Sequence, residues 1–386
     1  MTKFLQFIKD FFSIKQPLPS GMYGYKTPQD AEKQYRLHLR IEENGNGILV
    51  INASTVLHLN ETAVEYAYHL INQTDTALII EKVARRYQVD KEQIRIDFND
   101  FSDQIQTIIE TPDLDPVTYL GIERQAPYSG QISAPYRLDC ALTYLVNTES
   151  KATDAPVDRV DRELTTDEWK AIFNKAYQQG IPHLIFTGGE PTLREDLPDL
   201  IATAEELGLV TGLLSDGIKL DNDAYRQTLL LNGLDHLMMI FNPDNKRNWK
   251  ILEKILAEDL FTTVHLTLNK GDNLSPHIQR LADMGANALS LSAADPQLKD
   301  ELQKVRDMAA VHHLELVWDM PVPYSSNNPV SLELETSELQ ESPGGAGKAW
   351  LYIEPDGDVL PAQGLYDQIL GNLLTDDWEK IWPVNN

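Results

Sequence analysis

The chain has 386 residues, 42% of them apolar, which is enough for more than one hydrophobic core and far from the composition of disordered proteins. Asp and Glu number 59 against 33 Lys and Arg, a formal charge of −26, so a phosphate backbone is repelled over most of the surface and nucleic acid is not an expected partner. A single cysteine, Cys140, excludes an intramolecular disulfide framework and a multi-thiolate metal site, and the expected setting is reducing and cytoplasmic.

In chain order, Phe4-Leu5-Gln6-Phe7-Ile8-Lys9-Asp10-Phe11-Phe12 puts its apolar residues on one helical face. It is too short and too charged for a signal peptide, and no run reaches the roughly 20 apolar residues of a membrane span. It reads as a helix packed on its own protein, or as one docking on a partner or a membrane surface. Residues 1–33 are therefore expected to be a helix and a linker. Over 34–112 the pattern changes: Tyr35–Ile41 alternates, Glu43-Asn44-Gly45-Asn46-Gly47 is hairpin turn chemistry, Ile48–Ile51 returns, and Val56–Leu59 adds a third strand. Asn60 then caps a helix to about Ile71, the spacing of Ala77, Ile79, Ile80, Val83, Ala84 and Tyr87 predicts a second, and a third runs from near Ile94 to Ile109.

Residues 113–133 read as a linker. From 134 to 330 strand-like and helical runs alternate in six or more β/α units, which implies a parallel sheet with crossover helices. The fold class expected is α/β: a partial (β/α)6 TIM-like barrel, preceded by a winged-helix-like α+β domain. Any ligand site would lie at the carboxyl ends of the strands. Residues 331–386 form a small C-terminal extension, with Trp350–Ile353, the turn Pro355-Asp356-Gly357-Asp358 and Val359-Leu360-Pro361 reading as a hairpin, then a short helix to Trp382.

Gly188-Gly189-Glu190-Pro191 follows the strand Ile181–Thr187 and precedes a helix. Two glycines let the backbone approach a ligand, the proline stiffens the turn, and the carboxylate can accept charge-assisted hydrogen bonds from an ammonium group. Taken alone this is more often just a turn. In this position it resembles the Gly-Gly-Glu-Pro motif of the radical S-adenosylmethionine superfamily, particularly peptide-modifying members with a C-terminal SPASM or twitch extension, over about residues 135–386. The resemblance implies that Glu190 holds the methionine amino group of S-adenosylmethionine. Ser215-Asp216-Gly217, after the strand Val210–Leu214, stands where the family has a polar residue and Asn-Gly, so Ser215 is a candidate ribose or carboxylate contact, with Asp216 beside it. Gly285–Leu291 resembles the fifth-strand region, whose apolar residues can flank an adenine.

The chain departs from the family at its cluster ligands. The strand Ala141–Asn147 matches the approach to the CxxxCxxC loop, but Val146, Ser150 and Thr153 stand at the cysteine positions by spacing, and three thiolates are what cluster ligation requires. In the extension Ala362 follows the proline where an auxiliary-cluster cysteine is expected, and Gly344 takes another such position. The expectation is a cluster-free pseudoenzyme that binds a peptide or partner protein, with S-adenosylmethionine a candidate ligand of a vestigial or retained site and no catalytic residue assigned. Two alternatives stay open: polar chemistry on S-adenosylmethionine or a related nucleotide at Glu190, and a winged-helix regulator.

Three strands and three helices ahead of such a barrel resemble PqqD-like leader-peptide recognition domains. The resemblance implies that an extended peptide adds to a sheet edge at Thr55, Val56, Leu57, His58 and Leu59, with the last helix as the other wall. Asp319 either faces the barrel cavity or caps a turn. His38, His58, His183, His236 and His265 lie in scattered strands without metal-ligand spacing and read as surface or core residues.

Overall fold

The computed structural model describes residues 18–28, 30–52, 55–111, 114, 119–120, 132–150, 154–317, 320–324 and 345–383. The Phe4–Phe12 segment, Thr153, Asp319 and Gly344 lie outside these residues. Two compact units divide the chain, 1–126 and 127–386.

The first unit carries a four-stranded antiparallel sheet in the order β1 (Gly21–Lys26), β2 (Arg36–Ile41), β3 (Gly47–Ile51), β4 (Thr55–Leu59). Strands β2 to β4 are those expected from alternation and turn chemistry. β1 falls in a stretch expected to be helix and linker: Gly21 and Gly24 weaken its local strand signal, and six residue pairs with β2 make it a strand. Helices α1 (Glu61–Ile71), α2 (Thr76–Tyr87) and α3 (Lys91–Glu110) follow. Each starts at a side-chain cap: Asn60 Oδ1 accepts from Ala63 N, Asp75 Oδ1 from Ala77 N and Asp90 Oδ1 from Glu92 N. One sheet face, with Leu37, Leu39, Leu49, Ile51 and Leu57, joins Val64, Ala67, Ile105 and Ile108 of α1 and α3 in a common core.

The second unit is built on parallel strands β5 (Arg137–Thr143), β6 (His183–Gly188), β7 (Val210–Ser215), β8 (His236–Ile240), β9 (Phe261–Leu268), β10 (Ala288–Ala293) and β11 (Glu315–Leu316), paired in sequence order. Helices α4 (Thr166–Gln178), α5 (Leu197–Glu206), α6 (Asp223–Leu231), α7 (Lys246–Leu256), α8 (Ser275–Asp283) and α9 (Lys299–Val311) alternate with them. Thr165 and Glu168 form a capping box that starts α4. This is the α/β partial barrel expected from the alternation. Beyond β5 the sheet continues with β12 (Trp350–Ile353), parallel to it, then antiparallel β13 (Asp358–Leu360) and β14 (Gly371–Asn372); a one-turn helix, α10 (Trp378–Ile381), closes the described chain.

Alternation along the strands separates two faces. Leu138, Cys140, Leu142, Leu184, Phe186, Leu237, Met239, Val264 and Leu266 pack with the helices in the main core. Asp139, Ala141, Thr143, His183, Thr187, His236, His265, Ser290 and Ser292 alternate with such residues and point to the opposite face. Gly285–Leu291 leads into β10, the sixth parallel strand rather than the fifth. Its Leu289 and Leu291 belong to the helix-facing core, so they do not flank a ligand on the other face.

Candidate functional site

Glu190 sits at the carboxyl end of β6, only 2% exposed, as a hub between two strand ends. Its Oε1 accepts from Thr192 N at 3.0 Å, Thr192 Oγ1 at 2.5 Å and Ser215 Oγ at 2.9 Å; its Oε2 accepts from Asp216 N at 2.8 Å. Gly217 N donates to Ser215 Oγ in turn. The structure thus brings together Glu190, Ser215 and Asp216, which the sequence singled out at positions 25 and 26 residues apart. Pro191 opens the short 3-10 turn 191–193 that presents Thr192 to the carboxylate.

The two glycines act differently from the expectation. A Cβ on Gly188, whose φ is +113°, would lie 2.3 Å from Thr143 O, and one on Gly189 would lie 2.0 Å from Leu145 O. The backbone they admit is therefore the chain's own, at the end of β5, where Gly189 N donates to Thr143 O and Glu190 N to Leu145 O. No ligand is needed to explain them.

Burial pushes the Glu190 carboxyl well above the usual range, and the neighbouring Asp216 carboxylate pushes it further; the hydrogen bonds from Thr192 and Asp216 oppose this. Asp216 is 2% exposed. Its Oδ1 accepts from Ile218 N at 2.9 Å, whereas its buried Oδ2 accepts no hydrogen bond. An open, buried carboxylate oxygen beside a second carboxylate suits an ammonium group, so the donor set fits the amino end of S-adenosylmethionine.

The β5 end does not fit a cysteine-ligated cluster. Val146 and Ser150 are partly buried and Ala362 is 3% exposed, and none supplies a thiolate. Cys140 is fully buried on the helix-facing side, its thiol pushed up by burial and by Asp139. Val146 instead packs against an aromatic cluster containing Tyr144, Tyr324, Tyr352 and Leu360. The Tyr144 hydroxyl donates to Glu354 Oε1 at 2.8 Å, Tyr324 donates to Tyr144 at 3.0 Å, and the hydroxyls of Tyr324 and Tyr352 also bond. Arg159 pairs with both oxygens of Glu354 and lies 4.0 Å over the Tyr366 ring. Glu163 Oε1 accepts from Thr143 Oγ1 and Tyr144 N, and Arg194 Nη1 donates to Leu142 O. Side chains from distant parts of the sequence thus occupy the polar groups of this strand end, and no local pattern announces them.

Glu354, Asp356 and Asp358 bring ligand atoms within 4.8 Å of one another. Glu354 is committed to Arg159 and Tyr144, Asp358 Oδ1 accepts from Asn372 Nδ2 and Asp356 Oδ1 from Asp358 N, so this trio has a structural explanation. At the amino ends of the strands His183 Nε2 and His236 Nε2 meet at 2.8 Å, a pairing their sequence spacing did not suggest. His265 bonds Ser290 and Ser292 through its two ring nitrogens, at 2.9 and 3.0 Å.

In the first unit β4, with Thr55–Leu59, is an edge strand, and His58 on it is exposed. The last helix, α3, lines a cleft with Tyr25, Tyr35 and Leu37, on the β1–β2 side of the sheet.

The partial barrel with its acidic turn after β6 defines a radical S-adenosylmethionine type of fold. SuiB of Streptococcus suis, in its complex with S-adenosylmethionine, superposes with a TM-score of 0.59 at 16% identity over 90% of this chain and 88% of SuiB. The complex of SuiB with precursor peptide SuiA gives 0.58 at 14% identity, over 89% and 86% of the two chains. A PqqA peptide cyclase of Granulibacter bethesdensis is 34% identical over 119 residues, which is 30% of this chain and 32% of that relative's length. No family model matches the sequence. These likenesses relate the chain to the radical S-adenosylmethionine, SPASM-type peptide-modifying enzymes. No helix among the described residues is long and apolar enough to cross a membrane.

Proposed function

We propose that the chain is a cluster-free relative of these enzymes that recognises an extended peptide instead of carrying out radical chemistry. The observation that carries the reading is the β5 end: Val146 stands at the first ligand position and packs on Tyr144, Tyr324 and Tyr352, while the single cysteine is buried on the other face of the strand. Relation to enzymes that include a SuiA-bound SuiB supports a peptide partner, and the antiparallel sheet of the first unit offers two edges for strand addition, β4 at Thr55–Leu59 and β1 at Gly21–Lys26. Anaerobic reconstitution with iron and sulfide, read by absorbance and paramagnetic resonance, is the test. The expected result is no cluster signal, and a stoichiometric cluster that cleaves S-adenosylmethionine would overturn the proposal.

A second reading has its own observation, the unbonded Asp216 Oδ2 beside Glu190. It assigns S-adenosylmethionine or a related nucleotide to this end of β6 and β7, with Glu190 and Asp216 holding the ammonium group. Calorimetric titration decides it: micromolar binding, about −8 kcal/mol, abolished by Asp216→Asn in a folded variant would support it, and no heat at millimolar ligand would remove it.

A further inference from the structure

The cleft on the β1–β2 side of the first unit has a volume of about 290 Å³. Small-molecule sites begin at about 300 Å³, so this space holds one ring with its substituents and not a nucleotide. Its lining is amphipathic. Tyr25 and Tyr35, with ring centres 5.8 Å apart, form its apolar part together with Phe98, Ile105 and Ile109. His69, Gln73, Thr74 and Thr76, from the end of α1 and its turn into α2, form the polar part with Ser102 and Gln106 of α3.

The corner between α1 and α2 gathers the first group. Gln73, with a left-handed φ of +49°, reverses the chain; Gln73 N donates to Leu70 O and Thr74 N to His69 O. Thr74 thereby returns to the ring of His69, whose Nδ1 lies 3.1 Å from Thr74 Oγ1. The other ring nitrogen, Nε2, makes no hydrogen bond and faces the buried Glu65 Oε1 at 3.8 Å. A proton on Nε2, toward that carboxylate, leaves Nδ1 to accept from the Thr74 hydroxyl. The Thr74 oxygen then has lone pairs to offer a donor in the cleft.

Ser102 supplies the complement. Its hydroxyl is buried and has no hydrogen-bond partner, a cost that ends when rotation about one bond turns it to a carbonyl in the cleft. Among the described residues no Asp, Glu, Lys or Arg lines the space, so an ion entering it would lose its hydration without gaining an opposite charge.

We propose that this cleft is a small-molecule site for a neutral aromatic or heteroaromatic ring that carries both an N–H donor and a carbonyl, the carboxamide or lactam class. The N–H donates to Thr74 Oγ1, the carbonyl accepts from Ser102 Oγ, and the ring lies against Tyr25, Tyr35 and Phe98. The site belongs to the first unit alone and does not depend on the peptide-recognition reading.

The test titrates the full chain, labelled at the isoleucine δ1 methyl groups, with benzamide, acetophenone, toluene and benzoate. Ile105 and Ile109 report the cleft, and Ile105→Val and Ile109→Val assign their signals. Benzamide should shift both signals with a dissociation constant of about 1 mM, the strength expected for a ligand of its size. Acetophenone, which lacks the N–H, should bind about five-fold more weakly, the scale of one hydrogen bond. Toluene should bind more weakly still, and benzoate not at all. Ser102→Ala should weaken benzamide about five-fold and leave toluene unchanged, without lowering the melting temperature, because the hydroxyl it removes has no partner. Thr74→Val should weaken benzamide and spare acetophenone, with thermal melts confirming that it folds. No shift of either methyl group with benzamide, benzoate binding as tightly as benzamide, or benzamide affinity unchanged in both folded variants would overturn the site.

Discussion

Two neighbouring strand ends, β5 and β6, differ in what their residues can hold. After β6 the Gly-Gly-Glu-Pro turn is intact; after β5 the cysteine positions hold Val146, Ser150 and Thr153. The contacts show how one can persist without the other. Gly188 and Gly189 are demanded by the carbonyls of Thr143 and Leu145, and Glu190 accepts the donors that join the ends of β6 and β7. The turn therefore has a structural requirement independent of any ligand, whereas a cysteine after β5 would have one only as a metal ligand. A surviving motif is weaker testimony to chemistry than its sequence suggests.

Substitutions on the two sides should separate these roles. The largest effect is expected from Gly189→Ala, whose methyl group would collide with Leu145 O: about 3 kcal/mol of lost stability in urea unfolding, with no ligand present. A loss below about 0.5 kcal/mol would show that the turn has room to spare and that its glycines serve something else. Glu190→Ala should cost about 2 to 3 kcal/mol, since Thr192, Ser215 and Asp216 lose a buried acceptor. If it is neutral, the hub is not structural.

A third expectation concerns the opposite face of the same sheet. Burial depresses His265 to about 3 and, with Arg137 nearby, His236 to about 4. Their folded-state values lie below the unfolded one, so this stability is complete above about pH 6.5 and is lost on acidification, at about 1.4 kcal/mol per pH unit for each ring. Glu190 works in the other direction, because its raised value favours the folded state on the acid side. Urea midpoints from pH 7 to 5 should fall, and less steeply in His265→Gln; identical slopes would discount His265. The smallest effect belongs to Val146→Ala, under about 1 kcal/mol for a half-buried side chain. A larger loss would mean that the β5 loop has been rebuilt around that valine.

The partial barrel was legible because alternating β/α runs leave few topologies, and the meeting of Glu190 with Ser215 and Asp216 was legible because the turns that carry them, after two neighbouring strands, resemble a family's motifs. β1 was not, since glycines at 21 and 24 mute a strand that only pairing with β2 creates. The tyrosine cluster was hidden for another reason: Tyr144, Arg159, Tyr324, Tyr352 and Glu354 come from separate segments, and Tyr144 and Glu354 are 210 residues apart. The His183–His236 contact, 53 residues apart, is equally silent in one dimension.

That separation bears on how the protein is made. β12 lies beside β5 with Trp350 opposite Arg137, so the outer flank of the first barrel strand is covered by a segment that leaves the ribosome only after every β/α unit. Until then the nascent chain exposes an open parallel edge, ready to pair with a stranger. Chains ending before Trp350 should therefore aggregate during synthesis even though every β/α unit is present, which makes the β12–β13 hairpin the cover of the barrel's first edge.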